Sequence, residues 1–256
     1  MWLARARGLV WVSALLIAIL AAPVGAQEST ASKPFTPAEE EAVRQLVRDY
    51  LLSNPEVLIE AARIYRERQQ EIQQQQARDV LTSRRDELDR DPDSPVLGNP
   101  DGDVVVVEFF DYRCPYCVRV AAPLREAIED DGNIRLVMKE FPILGPDSVL
   151  AARMALASVK QDKYEDLHFA FMAASGKLTE EAAFKIAERV GLEMDRLRRD
   201  MEDPAIEEML QRNFSLAQAL QINGTPGFVI GNEIVRGAID MKTLRQIVGK
   251  TRANSS

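Results

Sequence analysis

The chain has 256 residues, of which 46% are hydrophobic and 28% charged, a composition typical of globular proteins rather than of disordered or fibrous ones. Its formal net charge of −8 argues against nucleic acid or anionic lipid as a partner. Two cysteines are too few for a disulfide scaffold, so any cysteine chemistry must come from a single pair.

The first 26 residues have the pattern of a secretory signal peptide. Arg5 and Arg7 form a positive start, Leu9 to Ala22 is an almost purely apolar run, and Val24-Gly25-Ala26 supplies the small residues that a signal peptidase reads. The alternative is an uncleaved membrane anchor, but the apolar run is shorter than the roughly 20 residues that span a bilayer. We therefore predict a periplasmic protein, whose net charge becomes −10 because cleavage removes two arginines and no acidic residue.

Residues 27–91 form a predicted helical region that precedes the main domain. Thr36 is a natural N-cap, Pro37 takes the first helical position, and Glu39 completes a capping box. An apolar stripe then recurs at helical spacing and comprises Val43, Leu46, Val47, Tyr50 and Leu51. Asn54-Pro55-Glu56 repeats the capping signal, so a second helix is predicted to begin there.

The second helix loses its apolar stripe after Tyr65. Between Arg66 and Arg78 the only large apolar residue is Ile72, and the segment is rich in glutamine, so packing against a core cannot hold it. It can be a solvated connector, a loose coiled coil or a partly disordered segment. The apolar stripes of such an appendage either fold back on the main domain or pair with other copies of the chain. We predict the second arrangement, a dimer or trimer assembled through residues 35–88.

Residues 92–256 are predicted to form an α/β domain. Prolines and glycines between Asp89 and Asp103 break any helix there. The predicted elements that follow are a buried strand (Val104–Phe110), a helix from Cys114 to about Ile128, a strand (Ile134–Lys139), a helical stretch (146–220), a hairpin (Gly227–Ile230 with Glu233–Val235) and a closing helix (Asp240–Gly249). The strand–helix–strand start implies a parallel pair with a right-handed crossover. This order is the thioredoxin topology with an all-helical insertion at 146–220.

Cys114-Pro115-Tyr116-Cys117 falls between a buried strand and the start of a helix, which favours a redox pair. One alternative is a structural staple, but closing so small a loop removes little entropy from the unfolded chain. The other alternative is half of a zinc site, which needs about four ligands. Beyond the two cysteines the only soft ligand is His168, which is expected to be a packing or surface residue. We therefore expect no metal and no other cofactor.

The two cysteines have different predicted roles. Cys114 is placed at the helix cap with Pro115 at the first helical position, so unpaired backbone N–H groups and the helix dipole point at its sulfur. These groups stabilise the thiolate, which is the nucleophile. Cys117 lies one turn further into the helix. We therefore predict that an exposed Cys114 attacks and that Cys117 resolves the mixed disulfide.

Two further features fit this chemistry. Glu108 lies on a strand otherwise made of valine and phenylalanine, where burial would raise its pKa and let it exchange a proton with Cys117. The alternative is an outward-pointing glutamate at the strand end. Pro226, in Gly224-Thr225-Pro226-Gly227, marks a turn at the start of a strand, where either a cis bond or an ordinary trans loop fits.

The stretch Phe109 to Cys117, together with Gly224 to Phe228, resembles the DsbA family of thioredoxin-like proteins. The resemblance covers about Pro95 to Lys250. It implies that Pro226 is a cis-proline facing the redox pair and that the Thr225 backbone binds an extended substrate chain. It also places Glu108 at the position of the buried acid of thioredoxin-like folds. The predicted substrate-binding residues are Pro115, Tyr116, Thr225 and Pro226.

The N-terminal helices, including Tyr50 to Leu58, resemble the oligomerisation stalk of the ScsC (suppressor of copper sensitivity) branch. Tyr116 departs from the strongly oxidising DsbA proteins, which resemble one another in having histidine there. Since tyrosine brings no cation to the Cys114 thiolate, we predict that the reduction potential of the cysteine pair is more reducing than that of the strongly oxidising DsbA proteins. The pattern Cys-x-Tyr-Cys also resembles the oligomeric isomerases DsbC and DsbG.

These resemblances favour a disulfide isomerase or reductase that acts on exported proteins with cysteines or disulfides and exchanges electrons with a membrane redox partner. The closest rival is a monomeric disulfide-forming oxidase of the same fold. A third hypothesis is a non-enzymatic module, either a holdase chaperone or a copper-sequestering protein that uses the two thiols.

Overall fold

The computed structural model describes residues 35–255, which divide into two compact units between Glu60 and Ala61. The predicted signal peptide, 1–26, lies outside the described residues. The division lies within a helix of the predicted 27–91 region, and the domain boundary after residue 91 remains a prediction.

The first unit contains helix α1 (Pro37–Ser53) and the start of helix α2 (Glu56–Ser83). The predicted capping box is present: Thr36 Oγ1 accepts from the Glu39 N–H at 3.3 Å, and the Glu39 carboxylate accepts from the Thr36 N–H at 2.7 Å. No residue of α1 is buried. Large apolar side chains are exposed along both helices of this unit, namely Val43, Leu46, Val47, Tyr50, Leu52, Val57, Leu58 and Ile59.

The second unit begins with the remainder of α2, in which the glutamine-rich segment is continuous α-helix. Its last turns carry Ala77 and Leu81, which are buried, and the short helix α3 (Arg85–Asp89) adds the buried Leu88. The sequence analysis missed α3, since five residues are too few to show a helical period. Leu81 and Leu88 belong to the hydrophobic cluster on one face of the sheet.

The sheet has five strands: β1 (Val96–Gly98), β2 (Val104–Phe110), β3 (Ile134–Glu140), β4 (Gly227–Ile230) and β5 (Glu233–Arg236). Their order is β1-β3-β2-β4-β5, with β2 and β3 parallel and all other neighbours antiparallel. The predicted parallel pair and hairpin are therefore confirmed. Strand β1 was missed because it has three residues within a proline- and glycine-rich segment, and only its pairing with β3 makes it a strand.

Seven α-helices and a short 3₁₀ helix (Val159–Gln161) complete the described part of the second unit. The α-helices are α4 (Pro115–Asp131), α5 (Pro146–Ser158), α6 (Tyr164–Met172), α7 (Glu180–Val190), α8 (Met194–Asp200), α9 (Pro204–Ala219) and α10 (Met241–Ser255). Helices α5 to α9 lie between β3 and β4, as the predicted insertion requires. Helix α10 extends beyond the predicted end at Gly249. Its last turns are held by Arg252, whose guanidinium contacts Asp103 at 2.8 Å and Asp131 at 2.8 Å.

Two hydrophobic clusters cover the two faces of the sheet, because successive strand residues point in opposite directions. Val106 and Phe110 of β2 pack with α4, the insertion and α10, in the cluster that also contains both cysteines. Val107 and Phe109 pack on the opposite face with the end of α2 and with α3. We call these the redox face and the back face.

Candidate redox site

The loop between β2 and α4 positions the cysteines. Cys114 is the N-cap of α4, with Pro115 at the first helical position as predicted. Asp111 shapes the loop: its carbonyl accepts from the Cys114 N–H at 3.0 Å, and its carboxylate oxygens accept from the N–H groups of Arg113 at 2.8 Å and Leu144 at 3.0 Å. Sequence reasoning missed Asp111, although an aspartate directly after a strand is a common turn signal.

Both cysteines are unbridged thiols, and the environment of Cys114 differs from the prediction. Cys114 is 4% exposed and Cys117 is fully buried, so the expectation of an exposed Cys114 is wrong. The side chain of Cys114 makes no capping hydrogen bond to the helix N–H groups. Instead its thiol donates to the carbonyl of Thr225 at 3.1 Å. The loop before β4 therefore covers the sulfur that the isolated helix would have left open.

The loop that covers Cys114 contains a cis peptide bond between Thr225 and Pro226. The Pro226 carbonyl accepts from the Gly237 N–H at 2.9 Å. Gly227 has no room for a side chain, since a Cβ there would lie 2.5 Å from Cγ2 of Ile222. These contacts fix the Thr225 carbonyl over the redox pair. Of the predicted substrate-binding residues, Pro115 and Tyr116 are exposed, Thr225 is half-buried and Pro226 is buried.

Glu108 lies on the redox face of β2 and is 3% exposed. The alternative of an outward-pointing glutamate is therefore wrong. Its cross-strand neighbours are Met138 on β3 and Phe228 on β4. Burial raises the pKa of Glu108 to about 8. Burial, and then the charge of Glu108, raise the pKa of Cys117, so each group favours the protonated form of the other. The proton-exchange role of Glu108 remains a prediction.

Tyr116 has a neighbour that the sequence analysis did not foresee. Its ring is exposed, and the guanidinium carbon of Arg119, one turn along α4, lies 5.3 Å from the ring centroid. This contact does not test the premise of the prediction, which is that tyrosine brings no cation to the Cys114 thiolate. The potential inferred from that premise remains a prediction.

A second buried polar group lies behind the redox loop. Its members are Tyr112 from the loop, Glu140 at the end of β3, and Tyr164 and His168 from α6. The hydroxyls of Tyr112 and Tyr164 lie 2.9 and 3.0 Å from the same oxygen, Oε1 of Glu140, and the Tyr112 hydroxyl lies 3.2 Å from His168 Nδ1. His168 is a packing residue, as expected, and burial lowers its pKa to about 3. No metal-binding cluster of His, Cys, Asp and Glu occurs within residues 35–255.

Two known protein families together match most of the described chain. Residues 105–249 match the DSBA-like thioredoxin domain, and residues 39–72 match the copper resistance protein ScsC N-terminal domain. A thioredoxin-like oxidoreductase from Silicibacter pomeroyi DSS-3 is 48% identical, with a TM-score of 0.65 over 66% of this chain and 98% of that one. ScsC of Proteus mirabilis, in a transitional conformation, is 34% identical, with a TM-score of 0.64 over 86% of this chain and 100% of that one.

A curated relative matches over part of its length only. The Na(+)/H(+) antiporter NhaA 1 of Salinispora arenicola is 30% identical over 161 residues, which make up 62% of this chain and 25% of the antiporter. The chain thus spans about a quarter of that relative. Between residues 35 and 255, every helix is too short or too polar to cross a membrane.

Proposed function

This chain belongs to the family of DSBA-like thioredoxin domains, and we propose that it acts in the periplasm as a disulfide isomerase or reductase on exported proteins. The observation that carries the proposal is the geometry at Cys114: its sulfur lies at the start of a helix, 3.1 Å from the carbonyl of Thr225, with Cys117 buried one turn behind. This arrangement offers one sulfur to a substrate and keeps the other for resolution.

The exchange proceeds in two steps. The Cys114 thiolate attacks a substrate disulfide, which forms a mixed disulfide and releases the other substrate sulfur as a thiolate. In reduction, Cys117 then loses its proton and attacks the Cys114 sulfur, which releases the substrate thiol and leaves a Cys114–Cys117 disulfide. In isomerisation, a substrate thiolate attacks the mixed disulfide instead and returns Cys114 to its thiolate.

Glu108 is the proposed acceptor of the Cys117 proton. With a pKa of about 8, it is ionised in roughly one molecule in ten at pH 7. That carboxylate disfavours a second negative charge on Cys117 and therefore takes up the proton as the thiol ionises. When the disulfide is reduced again, Glu108 returns the proton.

The loop with Thr225 is the proposed substrate-binding element. In the mixed disulfide Cys114 has no proton to donate, so the Thr225 carbonyl is released from its 3.1 Å contact. It then accepts a hydrogen bond from a backbone N–H of an extended substrate. Pro115 and Tyr116 are exposed on the other side of Cys114, and Pro226 holds the carbonyl in place.

Oligomerisation through the N-terminal helices is the second part of the proposal. The first unit exposes a stripe of large apolar side chains, with Leu46 and Leu52 each 69% exposed, which is costly in water unless another surface covers them. The match of residues 39–72 to the ScsC N-terminal domain supports assembly through this region. A dimer or trimer places several redox sites around one substrate, which suits isomerisation. A membrane redox partner would keep the cysteines reduced.

Scrambled ribonuclease is the substrate that tests this proposal. The full-length protein is expected to restore ribonuclease activity, and the double variant Leu46→Glu, Leu52→Glu is expected to lose this activity as it dissociates in analytical ultracentrifugation. The variant still reduces small disulfides, which shows that its redox unit is intact. Equal isomerisation by the dissociated variant would refute the role of the oligomer. Oxidation of reduced peptides without reshuffling would establish the oxidase instead.

The match to a copper resistance protein domain supports copper sequestration as a second candidate function. Two unbridged thiols one turn apart form a soft ligand pair that suits Cu(I). Titration of the reduced protein with Cu(I), against a competing chelator, tests this candidate. Tight binding together with absent exchange activity would favour sequestration, whereas holdase activity that survives Cys114→Ser would favour a chaperone.

A further inference from the structure

The polar group behind the redox loop joins three parts of the molecule. Tyr112 lies two residues before Cys114, Glu140 ends strand β3, and Tyr164 and His168 lie one turn apart on α6 of the insertion. All four side chains are buried. The Tyr112 ring is also packed edge-on against Phe110 and Phe171 in addition to His168.

The hydrogen bonds of this group can be counted for each protonation state of Glu140. If Glu140 is a carboxylate, both tyrosines donate to Oε1, and the other oxygen, Oε2, is a buried charge with no hydrogen-bond donor among the described residues. A buried charged oxygen without a donor costs several kcal/mol.

If Glu140 is the neutral acid, one continuous chain uses the carboxyl hydrogen and both tyrosine hydroxyl hydrogens. The Tyr164 hydroxyl donates to Oε1, the Oε1 proton is donated to the Tyr112 hydroxyl oxygen, and the Tyr112 hydroxyl donates to Nδ1 of His168. The three distances, 3.0, 2.9 and 3.2 Å, fit this chain. Oε2 is then an uncharged carbonyl oxygen, for which a missing donor costs much less.

The charged surroundings favour the same state. No cation forms an ion pair with Glu140 within residues 35–255. Apart from the two hydrogen-bonding tyrosines, the titratable groups that act on its charge most strongly are two acids, Asp111 in the redox loop and Glu108 on the neighbouring strand β2. From α6 it faces the Tyr164 hydroxyl and the Tyr112-bound ring of His168, which burial keeps neutral. From α9, Asn213 donates to its backbone carbonyl and not to its carboxyl.

We propose that Glu140 is a neutral acid whose proton completes a chain from Tyr164 through Glu140 and Tyr112 to His168, and that Glu140 is a positioning residue for the redox pair. It acts through Tyr112, whose hydroxyl it holds two residues before Cys114. Its neutrality also keeps a second negative charge away from Glu108 and the Cys114 thiolate. The part of this inference that concerns the redox pair rests on the proposed exchange function.

Infrared spectroscopy of the full chain at pH 9 tests the proton directly. Glu108, with a pKa of about 8, is then largely ionised, so the C=O stretching band of a buried protonated carboxyl is expected from Glu140. The band should disappear in Glu140→Gln and persist in Glu108→Gln. A spectrum in which Glu140→Gln removes no such band would overturn the proposal.

The equilibrium of the cysteine pair with glutathione gives a second test of the charge on Glu140. Glu140→Gln keeps an uncharged donor next to Tyr112. The equilibrium constant between the cysteine pair of this variant and glutathione is therefore expected to stay within about twofold of wild type. If Glu140 were instead a carboxylate, the substitution would remove a buried charge and shift the constant by roughly tenfold or more. A shift of that size would refute the neutral acid.

Tyr112→Phe and Tyr164→Phe form a matched pair, because each removes one hydroxyl from the same oxygen and only Tyr112 lies in the redox loop. We expect Tyr112→Phe to change the glutathione equilibrium by about threefold or more and Tyr164→Phe by less than about twofold. Equal effects would show that Tyr112 does not carry the influence of Glu140. A wild-type protein that does not equilibrate with glutathione would refute the proposed function, whereas the infrared result would still decide the protonation of Glu140.

Discussion

The two faces of the sheet treat buried charge in opposite ways, and two consecutive residues of β3 show the difference. Lys139 points to the back face, where its Nζ lies 2.7 Å from Asp91 Oδ2 and 2.7 Å from Ser94 Oγ. Glu140 points to the redox face, where it and Glu108 are buried without a counter-ion among the described residues. Both positions are almost fully buried, so exposure does not explain the contrast.

The contrast separates a structural ion pair from a chemical site. We call the pair of Lys139 and Asp91 the anchor. On the back face, burial raises the pKa of Asp91, but its contacts with Lys139, Ser94 and Asp93 together outweigh burial, and the pKa is lowered. Burial lowers the pKa of Lys139. The 2.7 Å contact between Lys139 and Asp91 ties the segment before β1 to the sheet. On the redox face, burial raises the pKa of both glutamates. A paired charge fixes structure, whereas an unpaired acid retains a proton that chemistry can use.

The largest expected effect comes from breaking the anchor. Lys139→Met leaves the half-buried Asp91 without its partner, which is expected to lower the free energy of unfolding by up to about 3–5 kcal/mol, the cost of breaking a fully buried pair. Urea unfolding measures this loss. The glutathione equilibrium of the cysteine pair should change little, because Lys139 lies on the opposite face.

The double variant Lys139→Met, Asp91→Asn is the matched control for that prediction. It removes both charges together, so it should recover most of the lost stability. A double variant as unstable as Lys139→Met alone would show that packing of the lysine chain, and not its pairing, anchors the segment.

The contrast also shows what the sequence could reveal. Local signals predicted strand β2, the Cys114 cap and the turn at Pro226, because each depends on neighbouring residues only. Glu108 was recognised for the same reason, as the one acid in an apolar strand. Strand β1 and the contact between Cys114 and Thr225 arise from pairing between distant segments, which no local period reports.

The polar group at Glu140 was missed for this long-range reason as well. Its members come from three elements that are separate in the chain. Lys139 and Glu140 appear in the sequence as two ordinary charged residues at a strand end. Only the register of β3, which sends them to opposite faces, gives them different roles.

A pH-dependent effect of similar or smaller size is expected from removing Glu108, one of the two buried acids of the redox face. The raised pKa means that folded Glu108 keeps its proton between about pH 4.5 and 8 while the unfolded chain loses it, so its contribution to stability falls as pH rises through this window. Glu108→Gln abolishes that fall. Its stability relative to wild type should therefore grow by up to about 1.4 kcal/mol per pH unit.

Urea unfolding at pH 5, 7 and 8 measures this difference. The variant and wild type should be nearly equal at pH 5 and differ most at pH 8. Ser94→Ala, on the back face, provides a control whose effect should not vary over this range. A stability difference between Glu108→Gln and wild type that is independent of pH would mean that Glu108 is already ionised when folded.

The smallest effect is expected from Ser94→Ala itself, which leaves the pairing of Lys139 with Asp91 intact. It removes the hydrogen bond that Ser94 Oγ accepts from Lys139 Nζ and the one that it donates to Asp91 Oδ2 at 2.8 Å. A hydrogen bond to a charged group contributes about 1.5–3 kcal/mol, and a water molecule that replaces the hydroxyl would reduce the loss. Urea unfolding is expected to show a loss below that of Lys139→Met, because the buried charges still neutralise each other. If Ser94→Ala were as damaging as Lys139→Met, the anchor would depend on donor satisfaction and not on charge pairing. Hydrogen bonds, and not the attraction between opposite charges, would then keep the pair in place on the back face.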